Sequence, residues 1–416
     1  MNVTAAGRET KYASCMQLRY NYRLDVCPRH QVALARAFGC ARVVFNDALA
    51  AREAAHQAGL PYITDAELSA RLTLAKRTPQ RAWLTEVSAV VLQQAIADLN
   101  AGYRNFFASL SEKRKGPRVE PPRFRSRKDH RQAIRFTANA RFKVLPNGKL
   151  RLPKVGDVPV RWSRPLPSKP SSVTVIKDSA GRYFASFVVK IRPGPLPQAE
   201  PVVGIDLGLT HFAILSDGTK IASPRFLRRA ERHLRRRQRG LSRKQRGSHN
   251  WEKARNGVAR AHARVADARR DFHHQLSTRL IRDNQAVAVE GLAVKGLART
   301  RMAKSVHDAG WAEFVAMLEY KAELYGRGFH RIGRLEPSSQ VCSACGVKDG
   351  PKPLRVRVWQ CQECRAWLDR DINAAVNVAN AAGLAVTACG AQVRPEPVPA
   401  QRGEAGTRSK SCRKPA

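Results

Sequence analysis

The sequence predicts an α/β chain with an added small β-barrel or sheet and helical parts. Three observations carry this. Residues 132–192 hold short period-2 apolar runs separated by Gly and Pro turns. Residues 202–215 give an apolar strand, a Gly-bearing turn and an antiparallel partner, and Ala286–Val289 is a second fully apolar strand. Two CxxC pairs mark a metal-stapled insert.

The elements follow in order. Residues 1–15 have no periodicity and are expected to form an unstructured leader. Residues 16–24 alternate apolar with polar and basic, as a strand does, and Pro28 ends it. Val32, Leu34, Phe38, Val43, Val44, Phe45 and Leu49 fit an amphipathic helix over about 30–57. Helices are also expected over 65–77 and 86–110, then a basic, Pro-bearing connector over 111–131. Short strands are expected at 134–136, 142–144, 150–152, 158–160, 173–176 and 183–189, so a helical insertion interrupts the barrel or sheet early. Pro193, Pro195 and Pro197 form a stiff linker. Residues 225–283 read as a long basic helical region divided by a Gly-Ser-His-Asn turn at 247–250. Residues 309–327 read as helix, 329–335 as strand, and the stretch from Asp369 as a helix ending at Gly383. Residues 390–416, rich in Pro, Gly and basic residues, are expected to be disordered.

Lys and Arg total 75 against 33 Asp and Glu, a formal net charge of +42, so a polyanionic partner is expected and nucleic acid is the commonest one. No apolar run of about 18 residues predicts a membrane span, and the basic first thirty residues exclude a secretory signal. Four of nine cysteines cluster as Cys342-x2-Cys345 and Cys361-x2-Cys364, fifteen residues apart. Each knuckle offers two thiolates from one tight turn, and two knuckles complete a tetrahedron around zinc. Trp359 and Trp367 flank the second knuckle and are expected to pack beside it. The scattered Cys15, Cys27, Cys40, Cys389 and Cys412 read as small apolar residues or inert thiols.

Three acids carry the chemistry. Asp206 and Glu290 end or follow apolar strands, and Asp371 opens a helix. An acid beside a buried strand is paired, protonated or neutralised by a cation. Two Mg²⁺ ions held about 3.5–4 Å apart by such acids stabilise the attacking and leaving oxygens of a phosphodiester. Gly204 and Gly208 permit close backbone approach beside Asp206. The Gly-Ile-Asp-Leu-Gly turn taken alone also suits sugar-kinase-like ATPases.

Several stretches together resemble the TnpB family of transposon-encoded, RNA-guided DNA endonucleases, relatives of the small type V CRISPR effectors. They are Gly204–Ala213, Val289–Leu292, Ser338–Gly346 and Asp369–Ala375, linked by Arg269–His274 and Asp308–Trp311, with Pro121–Arg127 and Gly181–Ser186 in the N-terminal half. The resemblance spans about residues 16–385, in the family's order. It implies an RNase H-like (RuvC) nuclease domain over 198–335 and 368–388, with a four-cysteine zinc ribbon inserted at 336–367. It also implies a wedge β-barrel over 16–28 and 130–197, interrupted by a helical recognition domain at 29–129, and a disordered basic tail at 389–416. Asp206, Glu290 and Asp371 fall on the family's metal-binding triad for Mg²⁺ or Mn²⁺. Asp369 is an accessory ligand or, the favoured reading, a helix N-terminal acid.

Family members take a guide RNA from the transposon end, recognise a short target-adjacent motif and cut both DNA strands in one site. By the same resemblance Gln93 and Thr137 would read that motif, Gln pairing with adenine and Thr meeting a thymine methyl. Arg228, Arg232, Arg235, Arg236, Arg239, Arg243 and Lys244, with Glu231 the only acid from 225 to 246, read as phosphate contacts. The expected partners are guide RNA and double-stranded target DNA, with no membrane and a monomer in the nucleoprotein complex, in the prokaryotic cytoplasm at the nucleoid. Rival readings are a nuclease-dead RNA-guided repressor, which the three acids disfavour, and an unguided zinc-ribbon DNA-binding protein, which needs no such triad. A type V CRISPR effector is a close cousin, usually longer.

Overall fold

The computed structural model describes residues 15–384 apart from Leu335 and Leu354. The leader, but for its last residue, and the tail with Cys389 and Cys412 lie outside the described residues. Residues up to Pro193 together with Ala230–Asp267 form one compact unit, and Gly194–Arg229 with the residues from Ala268 onward form another.

In the first unit, strand β1 (Met16–Leu24) is followed by helices α1 (Pro28–Gln57), α2 (Asp65–Ala75) and α3 (Ala89–Leu110). Pro28 opens α1, where its missing N–H costs nothing. Thr64 and Glu67 close a capping box at the start of α2. Strands β2 (Gln132–Thr137), β3 (Lys143–Val144), β4 (Lys149–Leu152), β5 (Gly156–Arg161), β6 (Ser172–Lys177) and β7 (Tyr183–Ile191) follow. They join β1 in an open, half-barrel sheet of order β2-β6-β7-β1-β5-β4-β3, antiparallel throughout. The alternation read along residues 16–24 ends with Tyr22 and Leu24 in the core, beside Phe136 and Phe187. The three helices enter the chain between two strands of this sheet, as expected of an insertion.

The second unit opens with β8 (Val202–Asp206), β9 (His211–Leu215) and β10 (Lys220–Ala222). Helices α4 (Phe226–Ser242) and α5 (His249–Asp283) follow in the chain, their Ala230–Asp267 portion counted with the first unit. Then come β11 (Ala286–Val289), short helices α6 (Val294–Leu297) and α7 (Ala303–Ala309), α8 (Trp311–Tyr325) and β12 (Gly328–Arg331). The hairpin of β13 (Val358–Gln360) and β14 (Trp367–Asp369) leads directly into α9 (Arg370–Ala381). The main sheet has the order β10-β9-β8-β11-β12, with β8, β11 and β12 parallel and β9 and β10 antiparallel.

Period 2 divides its central strands between two faces. Val203, Ile205, Val287 and Val289 pack with Leu280, Ile281, Phe314 and Leu318 of α5 and α8. On the other face Ala288 packs with Val378 of α9. Gly204 is on that face, and a Cβ there would lie 2.0 Å from Ala375 O and 2.7 Å from Ala379 N. Only glycine lets α9 rest on the backbone of β8. Among the described residues no helix is long and apolar enough to cross a membrane.

Candidate active site and metal centre

The β8–β11 ladder pairs Ile205 with Val289. Asp206 and Glu290 therefore follow on neighbouring parallel strands, whose backbones lie about 4.8 Å apart. Asp371 comes from the first turn of α9, the helix seated on Gly204. The sheet and one helix thus bring three acids distant in sequence to one edge.

Their electrostatics mark a crowded anionic set. Burial, then the carboxylates of Glu290 and Asp371, push the Asp206 carboxyl up from 3.8 to about 7, against a smaller lowering by Arg370. Burial also raises Glu290. The oxygens of the three acids are not drawn to mutual ligand distance. Among the described residues only the four cysteines have ligand atoms all within 4.8 Å of one another. Instead Arg357 Nη1 lies 3.3 Å from both oxygens of Asp371. An oxygen-only donor set under like-charge strain suits Mg²⁺ or Mn²⁺.

Asp369 is occupied otherwise. Its Oδ1 accepts from the N–H groups of Asp371 and Ile372 at 3.0 and 3.1 Å, and its other oxygen pairs with Lys220. Burial raises its pKa, but Lys220 and those two N–H groups outweigh burial and hold the carboxyl below its ordinary value. It is the helix cap that the favoured reading expects. Arg357 and Lys220 escape a sequence reading, because nothing in the spacing ties them to acids 14 and 149 positions away.

The charge on Asp206 gives a stability test. Its raised pKa means the folded chain keeps a proton that the unfolded chain releases between pH 3.8 and about 7. Stability should therefore fall as pH rises through that window. In chelator at pH 8, Asp206→Asn should be more stable than wild type by on the order of 4 kcal/mol, and Mg²⁺ should narrow the gap. Equal denaturation midpoints for the two proteins at pH 8 would refute the strained-carboxylate account.

The cysteines meet as their spacing requires. Cys342 Sγ lies 3.6 Å from Cys364 Sγ, and Cys345 Sγ 3.7 Å from Cys361 Sγ. A zinc tetrahedron with Zn–S bonds of about 2.3 Å has edges of about 3.8 Å. The four thiols share protons: the Cys364 N–H leads the contacts that pull Cys361 down, while Cys345 and Cys364 are pushed up. Cys342 and Cys361 are fully buried with Trp359. Asn373 and Asn377 of α9 tie down the first knuckle. Asn373 Oδ1 accepts from Ser343 N at 2.8 Å, and both amides donate to Val341 O and to Ser338 O, the latter at 2.7 Å from Asn377 and 3.5 Å from Asn373. One expectation fails here: Trp367 does not pack beside the site but is 71% exposed, because on β14 it points opposite to Leu368.

A family model described as "Probable transposase" matches residues 186–301, and one described as "Cas12f1-like, TNB domain" matches 311–378. A protein of Streptomyces pristinaespiralis named "Putative RNA-guided DNA endonuclease" is 42% identical over 381 residues, 91% of this chain and 92% of that protein. The chain belongs to the TnpB family.

A second relative, "Putative RNA-guided DNA endonuclease InsQ" of Escherichia coli (strain K12), is 30% identical over 90% of this chain and 94% of its own. The fold of this TnpB-family chain is shared with a solved chain from "Cryo-EM structure of the Cas12f1-sgRNA-target DNA complex". The TM-score is 0.52 at 13% identity, covering 88% of this chain and 99% of that one. A model described as "Helix-turn-helix domain" matches residues 16–60, which here fold as β1 and the single helix α1.

The remaining residues singled out for nucleic acid are dispersed in this TnpB-family fold. Gln93 is half-buried on α3 and donates to Ser69 Oγ at 2.9 Å. Thr137 ends β2 and donates to Asn139. On and just beyond α4, Arg228, Arg232, Arg235, Arg236, Arg239, Arg243 and Lys244 are all exposed. Arg228 donates to Ser305, and Arg235 pairs with Glu231 one turn back.

Proposed function

We propose that this chain is an RNA-guided DNA endonuclease that cuts both strands of its target by phosphodiester hydrolysis at one RuvC-like site. The observation that carries the reading is the meeting of Asp206, Glu290 and Asp371 at one edge of a sheet, with the ionised form of Asp206 disfavoured by burial and by the other two. The strand order, with two antiparallel strands on one side of β8 and two parallel strands on the other, supports an RNase H-like nuclease domain over 198–335 and 368–388. The names of the full-length relatives support the substrate class.

In this reading the three acids hold Mg²⁺ or Mn²⁺. Bound there, the cations supply the charge that activates water and stabilises the leaving oxygen. The chain itself places the three carboxylates at one edge of the sheet, where their burial and mutual repulsion favour a bound cation. Asp371, paired here with Arg357, would exchange that partner for a bound cation. The ribbon over 336–367 holds zinc through Cys342, Cys345, Cys361 and Cys364 and contributes no catalytic group. The sheet over 16–28 and 130–197 and the helical insertion over 29–129 hold guide RNA and target. Gln93 and Thr137 read the target-adjacent motif after giving up their local hydrogen bonds.

The guide is taken from the transposon end. Sequencing RNA co-purified with the chain tests this: a transposon-end transcript is expected, and no enriched RNA would sink it. With that RNA bound, a matched duplex bearing the adjacent motif should be cut in Mg²⁺ and left intact in chelator.

The basic helix predicts a salt slope. Log affinity for duplex DNA should fall with log salt by about 0.9 per neutralised phosphate. Alanine at Arg235, Arg236 and Arg239 together should lower that slope by up to about 3 and weaken all sequences alike. An unchanged slope in a salt titration would assign α4 another purpose.

A further inference from the structure

The exposed face of the zinc-ribbon hairpin carries a side chain that the fold does not use. On β14, Trp367 and Asp369 point to one side, and their cross-strand partners Gln360 and Val358 share it. The other side, with Leu368 and Trp359, closes the ribbon core, where Trp359 is 5% exposed and takes Lys352 Nζ 4.0 Å from its ring centroid. The core is therefore complete without Trp367. That indole is 71% exposed, and Val358 beside its row is 57% exposed. A tryptophan left in water gains from any flat apolar surface laid on it.

We propose that Trp367 is a stacking platform for an unpaired DNA base next to the acidic site. It stands two positions before Asp369, about 7 Å along a strand, and Asp371 lies in the first turn of the helix immediately beyond. A base on Trp367 therefore belongs to a nucleotide close to a phosphate at the acids. The surroundings suit a nucleic-acid strand rather than a protein face. From Arg355 to Trp367 the chain carries exposed Arg355, Arg357 and Arg365 against one acid, Glu363, and one indole with one valine is too small an apolar patch for a protein partner. Bases within a duplex are already stacked, so the occupant is an unpaired one. Stacking is sequence-tolerant, because every base has a π-face. The platform positions a strand and does not choose its sequence. This assignment rests on the nucleolytic reading of the neighbouring acids, and the test separates the two.

The full chain, purified with its bound RNA and held in Ca²⁺, would be titrated with a labelled dT 12-mer and with an abasic oligomer of the same length. Wild type should bind the dT oligomer about tenfold more tightly than the abasic one. Trp367→Ala should lose that preference with its affinity for the abasic oligomer unchanged, and Trp367→Phe should keep most of it. Equal binding of both oligomers by wild type, or an unaltered preference in Trp367→Ala, overturns the proposal. Zinc content reports on the fold of each variant. Should Trp367→Ala lose zinc, wild type decides alone: Trp367 is the one exposed tryptophan among the described residues, so the dT oligomer must shield fluorescence from iodide and the abasic one must not. Absence of shielding overturns the platform. A wild type that shows the preference but never cuts DNA refutes the nuclease and leaves the platform standing. A wild type that cuts without the preference does the reverse.

Discussion

Alanine at Asp206, Glu290 or Asp371 should abolish DNA cutting, by a factor on the order of a thousand or more, while leaving guide and target binding nearly intact. Each substitution removes one carboxylate from the set that would hold the cations, and a misplacement of about 1 Å at a reacting centre costs on the order of a hundredfold. On the reading proposed above, binding would draw on different groups, the exposed arginines of α4 and base pairing with the guide. The variants also differ structurally. Asp206→Ala removes the most strained carboxylate of the three, so that protein should be at least as stable as wild type in chelator. Asp371→Ala frees Arg357. Cleavage and gel-shift assays on one matched duplex separate the two functions. Undiminished cutting by Asp206→Ala removes the triad from the mechanism. Binding without cutting by wild type under every divalent cation makes an RNA-guided repressor the better account.

Removing zinc should be nearly as damaging by another route. Cys342→Ala with Cys361→Ala takes out both buried ligands, and structural zinc contributes about 10–16 kcal/mol to the folding of small zinc modules. The ribbon should unfold locally. Its first knuckle is hydrogen-bonded to Asn373 and Asn377, which lie two and six residues past Asp371 on α9. Loss of the knuckle strips both buried amides of their partners, at about 1–3 kcal/mol for each unsatisfied group, and loosens the helix that carries the third acid. Metal analysis should fall from about one zinc per chain to none, with cutting reduced at least about tenfold. Full zinc retention refutes the ligand assignment. Normal cutting by a zinc-free protein refutes the coupling through α9.

Much of this architecture was legible because its elements are long and strongly periodic. Residues 16–24 read as strand and form β1, and the turn at 247–250 falls beside the start of α5 at His249. The acids stood out because charge at the end of an apolar strand is costly without a partner. What escaped was short or depended on distant residues. β10, α6, α7 and the ribbon hairpin have three to seven residues each, too few to show a period. Lys321 is buried on α8, with its three donors taken by His274 O, Ser277 Oγ and Thr278 Oγ1 of α5, and burial lowers its pKa to about 8. No local pattern places an ammonium there. Trp367 was misread for a similar reason: which side of a two-stranded ribbon closes over the cysteines is set by register, and one position decides it.

The seating of α9 on β8 also orders events in time. Asp206 and Asp371 are 371 − 206 = 165 positions apart. At about 5–20 residues per second, a ribosome takes roughly 10 to 30 s to travel from one to the other. Helices α4 and α5 are both made in the first half of that interval, while the third acid does not yet exist. Closing so long a loop comes late in folding. On the nucleolytic reading, the acidic site is complete only once Asp371 has been made and α9 has docked on β8.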